Sequence, residues 1–337
     1  MAFDEHALAY FQKLPKIELH LHLEGAIPLP VLWMLMGKYG GDPAVRTRED
    51  LAARFRYRDF PHFLQTWVWK NGFLREYEDF TLIATEAARD LASQHVLYAE
   101  TFYSPGDFAG RHLDVQRLTQ AIRAGLQKVP EIEIALVTDL VRNTGPERAD
   151  RVLSAIAEMR VEMGIVGVGI GGAEHDFPLE PFGPVYERAR SLGFRTTAHA
   201  GEAAGPESVW GAVRSLGVER IGHGTSAARD PALVDYLAEH RIAIELCPIS
   251  NVKTGAVASL ADHPARLYFD RGLALSVNTD DPKLFNTSLA QEYLALCSEL
   301  RFTTSEIHAL IDQAVGCSWL ADERKGELLQ RLRAGRE

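Results

Sequence analysis

The residues of this chain best suited to chemistry fall into a few short groups: His20-Leu-His22, Glu100, Asp139, His199-Ala-Gly-Glu202, His223 and Asp280-Asp281. Residues two apart on a strand face the same side, so His20 and His22 form a pair. Two neutral imidazoles are costly to bury together unless each finds a hydrogen bond or a metal. By itself an H-x-H is satisfied by either. With His199 and Asp280 the set becomes three nitrogens and one carboxylate oxygen. That donor set suits one Zn2+ with a position left for water, and ligand type alone also admits iron or manganese. Two-metal barrel hydrolases often use a lysine after the fourth strand. Here that stretch reads Gly169-Ile-Gly-Gly-Ala-Glu174, so one metal per chain is expected.

A water activated in this way must lose a proton. Two candidates can take it, His223 in Ile221-Gly-His-Gly224 and Asp280 itself. For His223 the bland alternative is a histidine that merely ends a strand. Glu202 follows His199 by three residues and lies in the loop above it. There it can give a proton to a substrate, or simply support His199 or a helix start.

These groups act together only if the fold gathers them. Eight short, largely apolar runs read as strands: Ile17–His22, Val96–Phe102, Ile132–Asp139, Val166–Gly171, Arg195–Ala200, Arg220–His223, Ile242–Cys247 and Ala274–Asp280. Helical patterns alternate with them, among them Phe80–Ser93, Val115–Val129, Pro146–Met163, Pro181–Leu192, Pro206–Leu216 and Pro231–His240. Several start near a proline, and Gly193, Gly217 and Gly272 fall where helices should stop. Strand alternating with helix eight times predicts an α/β fold, a (β/α)8 TIM barrel, over an open doubly wound sheet. All the reactive groups then lie at the C-terminal strand ends, where such barrels build their sites.

The stretch from about residue 40 to 73 is too long for an ordinary loop between a strand and its helix. It predicts extra helices over the barrel mouth. Phe60, Phe63, Leu64 and Trp67 have helical spacing there and read as a lid or as a face packed on the barrel. Arg56, Arg58 and Lys70 flank them. A substrate ending in a carboxylate would need such a cation.

The bulk numbers fit one globular domain over residues 1–337. Hydrophobic residues make up 46% of the 337, and the formal net charge is -10. That acidic balance argues against nucleic-acid binding. The three cysteines form no C-x-x-C pair, and the first sixteen residues carry no signal-like apolar run. The expectation is a cytoplasmic protein without membrane spans, of unknown oligomeric state.

Five motifs together resemble the adenosine deaminase family. They are Leu14-Pro-Lys-Ile-Glu-Leu-His-Leu-His-Leu-Glu-Gly25, His199-Ala-Gly-Glu202, Ile221-Gly-His-Gly224, Leu246-Cys-Pro-Ile-Ser-Asn251 and Asn278-Thr-Asp-Asp-Pro282. The resemblance runs in the family's order from about residue 14 to near Ala321. It implies a zinc enzyme that deaminates a 6-aminopurine nucleoside to the 6-oxopurine plus ammonia. It implies His20, His22, His199 and Asp280 as zinc ligands, and Glu202 as proton donor to purine N1. His223 would orient the water and help deprotonate it. Asp281 would be an acceptor at N7, Gly172 a backbone contact to N3, and His22 part of the substrate surface. Phe60, Phe63, Leu64 and Trp67 resemble the family's apolar lid over the ribose.

One position departs from the pattern. Adenosine-specific members have His-Leu-Asp-Gly where this chain has His22-Leu-Glu24-Gly. The acidic residue resembles the one that binds the ribose 5′-hydroxyl. Glutamate there is shared with relatives acting on adenine or on aminodeoxyfutalosine, an adenosine-like intermediate of menaquinone biosynthesis. The runs Gly205-Pro-Glu-Ser-Val-Trp-Gly211 and Thr254-Gly-Ala-Val257 look more like the aminodeoxyfutalosine and adenosine branches. Adenine deaminase is the alternative. An amide or ester hydrolase is a further rival, as is a non-catalytic barrel, which need not keep Glu202 or the full ligand set.

Overall fold

The computed structural model describes residues 2–336, so Met1 and Glu337 of the expected domain lie outside the described residues. Eight parallel strands follow one another around the sheet in chain order. They are β1 (Lys16–His22), β2 (Val96–Tyr103), β3 (Glu133–Asp139), β4 (Ile165–Gly169), β5 (Arg195–Ala200), β6 (Arg220–His223), β7 (Ala243–Leu246) and β8 (Leu275–Val277). Nearly every strand residue is buried, as expected for strands with side chains on one face and helices on the other. One continuous hydrophobic cluster joins barrel and helices.

The barrel closes between β8 and β1, and the seam is irregular. A single bridge joins Leu21 to Asp280. The backbone bonds His22 N to Asp280 O (2.8 Å) and Asp280 N to His20 O (3.1 Å) cross it. Below them the side-chain oxygen of Asn278 accepts from Leu19 N (2.8 Å) and His20 N (3.1 Å). That amide does the work of a strand carbonyl which β8 is too short to supply. The floor is closed by Trp319, whose ring lies 3.5 Å from the Arg220 guanidinium.

The expected strands all exist; β5 and β6 have the expected bounds and the other six have shifted ends. β8 stops three residues early, at Val277; beyond it Asp280, with left-handed backbone at φ 61°, meets β1 only through the single bridge to Leu21. β4 stops at Gly169 rather than Gly171. The helix expected over Pro146–Met163 ends at Ala157. That expected over Pro181–Leu192 splits into a short turn (Glu180–Phe182) and a helix (Gly183–Ser191). After Pro206–Gly211 the chain widens into a π turn, Ala212–Leu216, and stops at Gly217, φ 61°.

The insertion after β1 contains two helices, Arg48–Arg54 and Phe60–Asn71. The Asp59 side chain caps the second by accepting from His62 N. This lid helix has its own small core, in which Phe63 stacks on Phe285 with ring centroids 5.2 Å apart. The Trp67 indole donates to Asp107 (3.0 Å), and Lys70 donates to Glu24 O (2.7 Å). The helix is thereby tied down at the mouth of the barrel.

Candidate active site

At that mouth the strand ends bring the polar groups together. His22 Nε2 and His20 Nε2 lie 3.0 and 3.1 Å from His199 Nε2. Asp280 Oδ1 is 3.4 Å from His22 Nε2 and 3.5 Å from His20 Nε2. His223 joins them: one ligand atom each from His20, His199, His223 and Asp280 lie within 4.8 Å of one another. His223 and Asp280 are both non-glycine residues in left-handed backbone, φ 65° and 61°. Such strain persists where the surroundings hold it, often at functional sites.

This donor set fits a divalent metal. His20 Nδ1 is bonded to Glu245 Oε2 at 2.6 Å, which leaves the Nε2 lone pair free to point at the cluster. The ring atoms His22 Nδ1 and His199 Nδ1 are buried without a partner among the described residues. Burial drives His199 well below the usual histidine range and His22 down to about 4, so both rings are neutral donors of lone pairs. His20 differs: burial opposes its charge, but Asp280 and Glu245 outweigh it and hold the ring at about 10. The surrounding negative charge calls for a positive one at that spot. Asp280 itself resists burial, because His20, His223 and His22 hold its carboxyl well below the ordinary range. Ser250 Oγ donates to its other oxygen at 2.6 Å.

A cleft of about 890 Å3, counting its open mouth, rises from this cluster. His22, His199, His223 and Asp280 form its base, with Glu202, Asp281 and Gly172 on its walls. Phe60, Phe63, Leu64 and Trp67 form its roof. His20 lies just behind the surface, fully buried. Burial, then the charges of Asp280 and Glu174, push the Glu202 carboxyl well up. Glu202 Oε1 accepts from Thr254 Oγ1 at 3.1 Å. Burial, then Asp280, likewise raises Asp281. In both, burial favours the protonated acid over the carboxylate.

Glu24 is not at the cleft surface. It is fully buried behind the wall, and its Oε1 accepts from Ser104 N at 3.0 Å. Ser104, Asp107 and Asp139 line the cleft on that side instead. Asp139 accepts from Ser104 Oγ, Val141 N and Gly171 N (3.1, 3.1 and 2.8 Å) and so ties the ends of β2, β3 and β4 together. Of the cations flanking the lid, Lys70 is fully buried against Glu24 O and Asn71. Among the described residues no lysine or arginine lines the cleft. An adjoining groove shares Phe60 and Glu202 with it and carries His175 and Arg229.

Several supporting residues had no signal in the sequence beyond lying near a motif. Glu174 accepts from four successive backbone amides, Gly201 N (2.5 Å), Glu202 N (3.0 Å), Ala203 N (2.6 Å) and Ala204 N (3.2 Å). It shapes the loop that carries Glu202. Glu245 bridges His20 to Arg220 Nε (2.6 Å), and Arg220 continues to Glu100 (2.6 Å), a buried ion chain running down the barrel.

A parallel eight-stranded barrel with His and Asp side chains gathered at its C-terminal mouth has its site where enzymes of this fold build theirs, and the donor set suits metal-assisted hydrolysis of the amidohydrolase type. The comparisons with known proteins narrow this. The adenosine deaminase family model matches residues 15–334. The aminodeoxyfutalosine deaminase of Streptomyces avermitilis is 36% identical over 329 residues, 96% of this chain and 92% of that protein. The adenosine deaminase of Serratia proteamaculans is 34% identical over 329 residues, 95% and 98% of the two chains. Among solved structures, an amidohydrolase from Burkholderia ambifaria with bound Zn superposes with a TM-score of 0.89 at 28% identity, covering 98% and 92% of the two chains. The chain belongs to the adenosine deaminase family and is a hydrolytic deaminase.

Proposed function

We propose that this single-domain, cytoplasmic enzyme removes the 6-amino group of a purine nucleoside, adenosine or the 5′-modified aminodeoxyfutalosine. The observation that carries this reading is the placement of two acids, Glu202 and Asp281, on the walls above the histidine cluster, both in surroundings that favour the protonated form. An amide or ester hydrolase needs no such pair.

His20, His22, His199 and Asp280 would hold one metal, with zinc favoured by the three nitrogens and one oxygen. When bound, the metal supplies the Lewis acidity that lets a water lose its proton near neutral pH. Glu202 gives its proton to purine N1, which makes C6 electron-poor. A water adds to C6 from the base of the cleft, and Asp280 takes the proton it sheds. Asp281 meets N7. Because N7 of a neutral purine has a lone pair and no proton, Asp281 donates there rather than accepts. The Gly172 backbone faces N3, and the roof of Phe60, Phe63, Leu64 and Trp67 excludes water over the sugar. Asp280 passes that proton to the amino group, the C–N bond breaks and ammonia leaves, while the C6 hydroxyl returns a proton to Glu202 and the 6-oxopurine remains.

The two substrates differ beyond C5′. Asp107 and Asp139, with no lysine or arginine among the described residues lining the cleft, favour an uncharged sugar end. An anionic arm would have to reach Arg229 in the adjoining groove. The test is turnover of adenosine, aminodeoxyfutalosine and adenine by the zinc-loaded protein, followed by the ultraviolet change from amino- to oxopurine. A nucleoside preferred over adenine is the expected result. No turnover of any of the three removes the proposal. Glu202→Gln should keep its zinc and lose about 100-fold or more of the rate.

A further inference from the structure

Three buried residues next to the cluster form a hydrogen-bond relay whose direction is set from one end. The Ala265 backbone N–H donates to His263 Nδ1 at 3.2 Å. Ala265 opens the helix Ala265–Asp270, so this is one of the amides with no partner inside the helix. A backbone N–H can only donate, so Nδ1 of His263 carries no proton. His263 is buried, which favours the neutral ring. Its single proton must then sit on Nε2. That atom lies 3.1 Å from Asn251 Oδ1, which accepts it. The orientation of the Asn251 amide follows. The reverse orientation would face N–H against N–H. Asn251 Nδ2 therefore donates to His223 Nδ1 at 2.9 Å. The same logic puts the proton of neutral, buried His223 on Nε2.

We propose that His263 and Asn251 are positioning residues that hold His223 as its Nε2–H tautomer, so that His223 serves the site as a hydrogen-bond donor. Two matters left open by distance alone then have an answer. The cluster of mutually close ligand atoms includes His223, but an Nε2–H has no lone pair for a metal, so the third histidine ligand is His22. His223 and Asp280 were both candidates to take the proton of the water. A ring whose free lone pair is engaged by Asn251 donates to that water instead, and Asp280 is left as acceptor. His223 Nε2 faces this region, 3.5 Å from Glu202 Oε2. From the proposed function the inference takes only that a reacting water lies there. The tautomer is a property of the resting protein.

The experiment is nitrogen-15 NMR of histidine side chains in zinc-loaded protein, with His223 assigned from the spectrum of His223→Gln. A protonated Nε2 and a bare Nδ1 are expected. A protonated Nδ1 overturns the proposal. Asn251→Asp cannot donate to Nδ1 and should reverse the pattern, and an unchanged pattern in that variant also overturns it. His263→Leu should mix the two tautomers and lower kcat roughly 10- to 100-fold with KM nearly unchanged. His263→Gln, whose amide can still donate to Asn251, should restore most of the rate. Equal losses in the Leu and Gln variants would show a packing role only. If wild-type protein turns over no aminopurine, the proposed function fails while the tautomer remains readable.

Discussion

The carboxylate of Asp281 occupies the space where a side chain on Gly25 would begin: a Cβ built there overlaps Asp281 Oδ1. Gly25 lies in the turn Leu23–Ala26 that leaves β1, and Asp281 directly follows the last cluster residue. The absent side chain on one strand exit sets the place of an acid on another. Gly25→Ala should therefore move Asp281 while leaving the histidines alone. We expect kcat/KM to fall on the order of 100-fold with zinc content unchanged. Near-normal kinetics would show that Asp281 has no fixed place in the reaction.

Glu245 is bonded to His20 on one side and Arg220 on the other. Replacing it with Gln removes the charge that sets the His20 ring. Zinc affinity, measured by competition with a chelator, should drop roughly 10- to 100-fold. Unchanged affinity would mean that the ring needs only a hydrogen-bond acceptor.

Glu174 offers two oxygens to four amides, a task for a carboxylate rather than an amide. Glu174→Gln turns an NH2 toward at least one of those donors and loosens the loop that carries Glu202. The expected result is a loss on the order of 10-fold or more in kcat, with the metal retained. In a Glu202→Gln background the same change should cost nothing further, since both act through one group. Effects that multiply would place Glu174 outside this role.

Glu292 is fully buried, and burial raises its carboxyl from 4.5 to about 8, against the bonds from Ile249 N and Thr287. The folded protein thus holds a proton that the unfolded chain has released between about pH 4.5 and about 8. More protons bound in the folded state means that stability falls as pH rises through that window. Glu292→Gln should flatten this decline, giving a higher melting temperature than wild type at pH 9 and little difference at pH 5. Parallel curves for the two proteins would exclude the effect.

The strands and the reactive strand ends were legible because burial on both faces writes long apolar runs, and polar residues at their ends stand out against them. His20, His22, His199, Asp280, Glu202, His223 and Asp281 all emerged in that way. Glu245 and Arg220 did not, since a charged residue inside a short strand looks like ordinary alternation until its partner is seen across the barrel. Asn251 lay within a recognised motif, but its role depends on His263, which only the tertiary fold brings near. Glu24 lies elsewhere than its motif implied. The family resemblance put it at the ribose 5′-hydroxyl, whereas the turn at Leu23–Ala26 buries its side chain against Ser104 N.

The irregular seam between β8 and β1 has a meaning for how the protein is made. His20 and His22 come off the ribosome more than 250 residues before Asp280 does. The two edges that must meet are the first and the last strands of the barrel, so the full ligand set does not exist in any nascent fragment that stops short of Asp280. A metal gripping both edges would act as a clasp that fastens only once the last strand and Asp280 have been made, and products truncated before that point would be left without it.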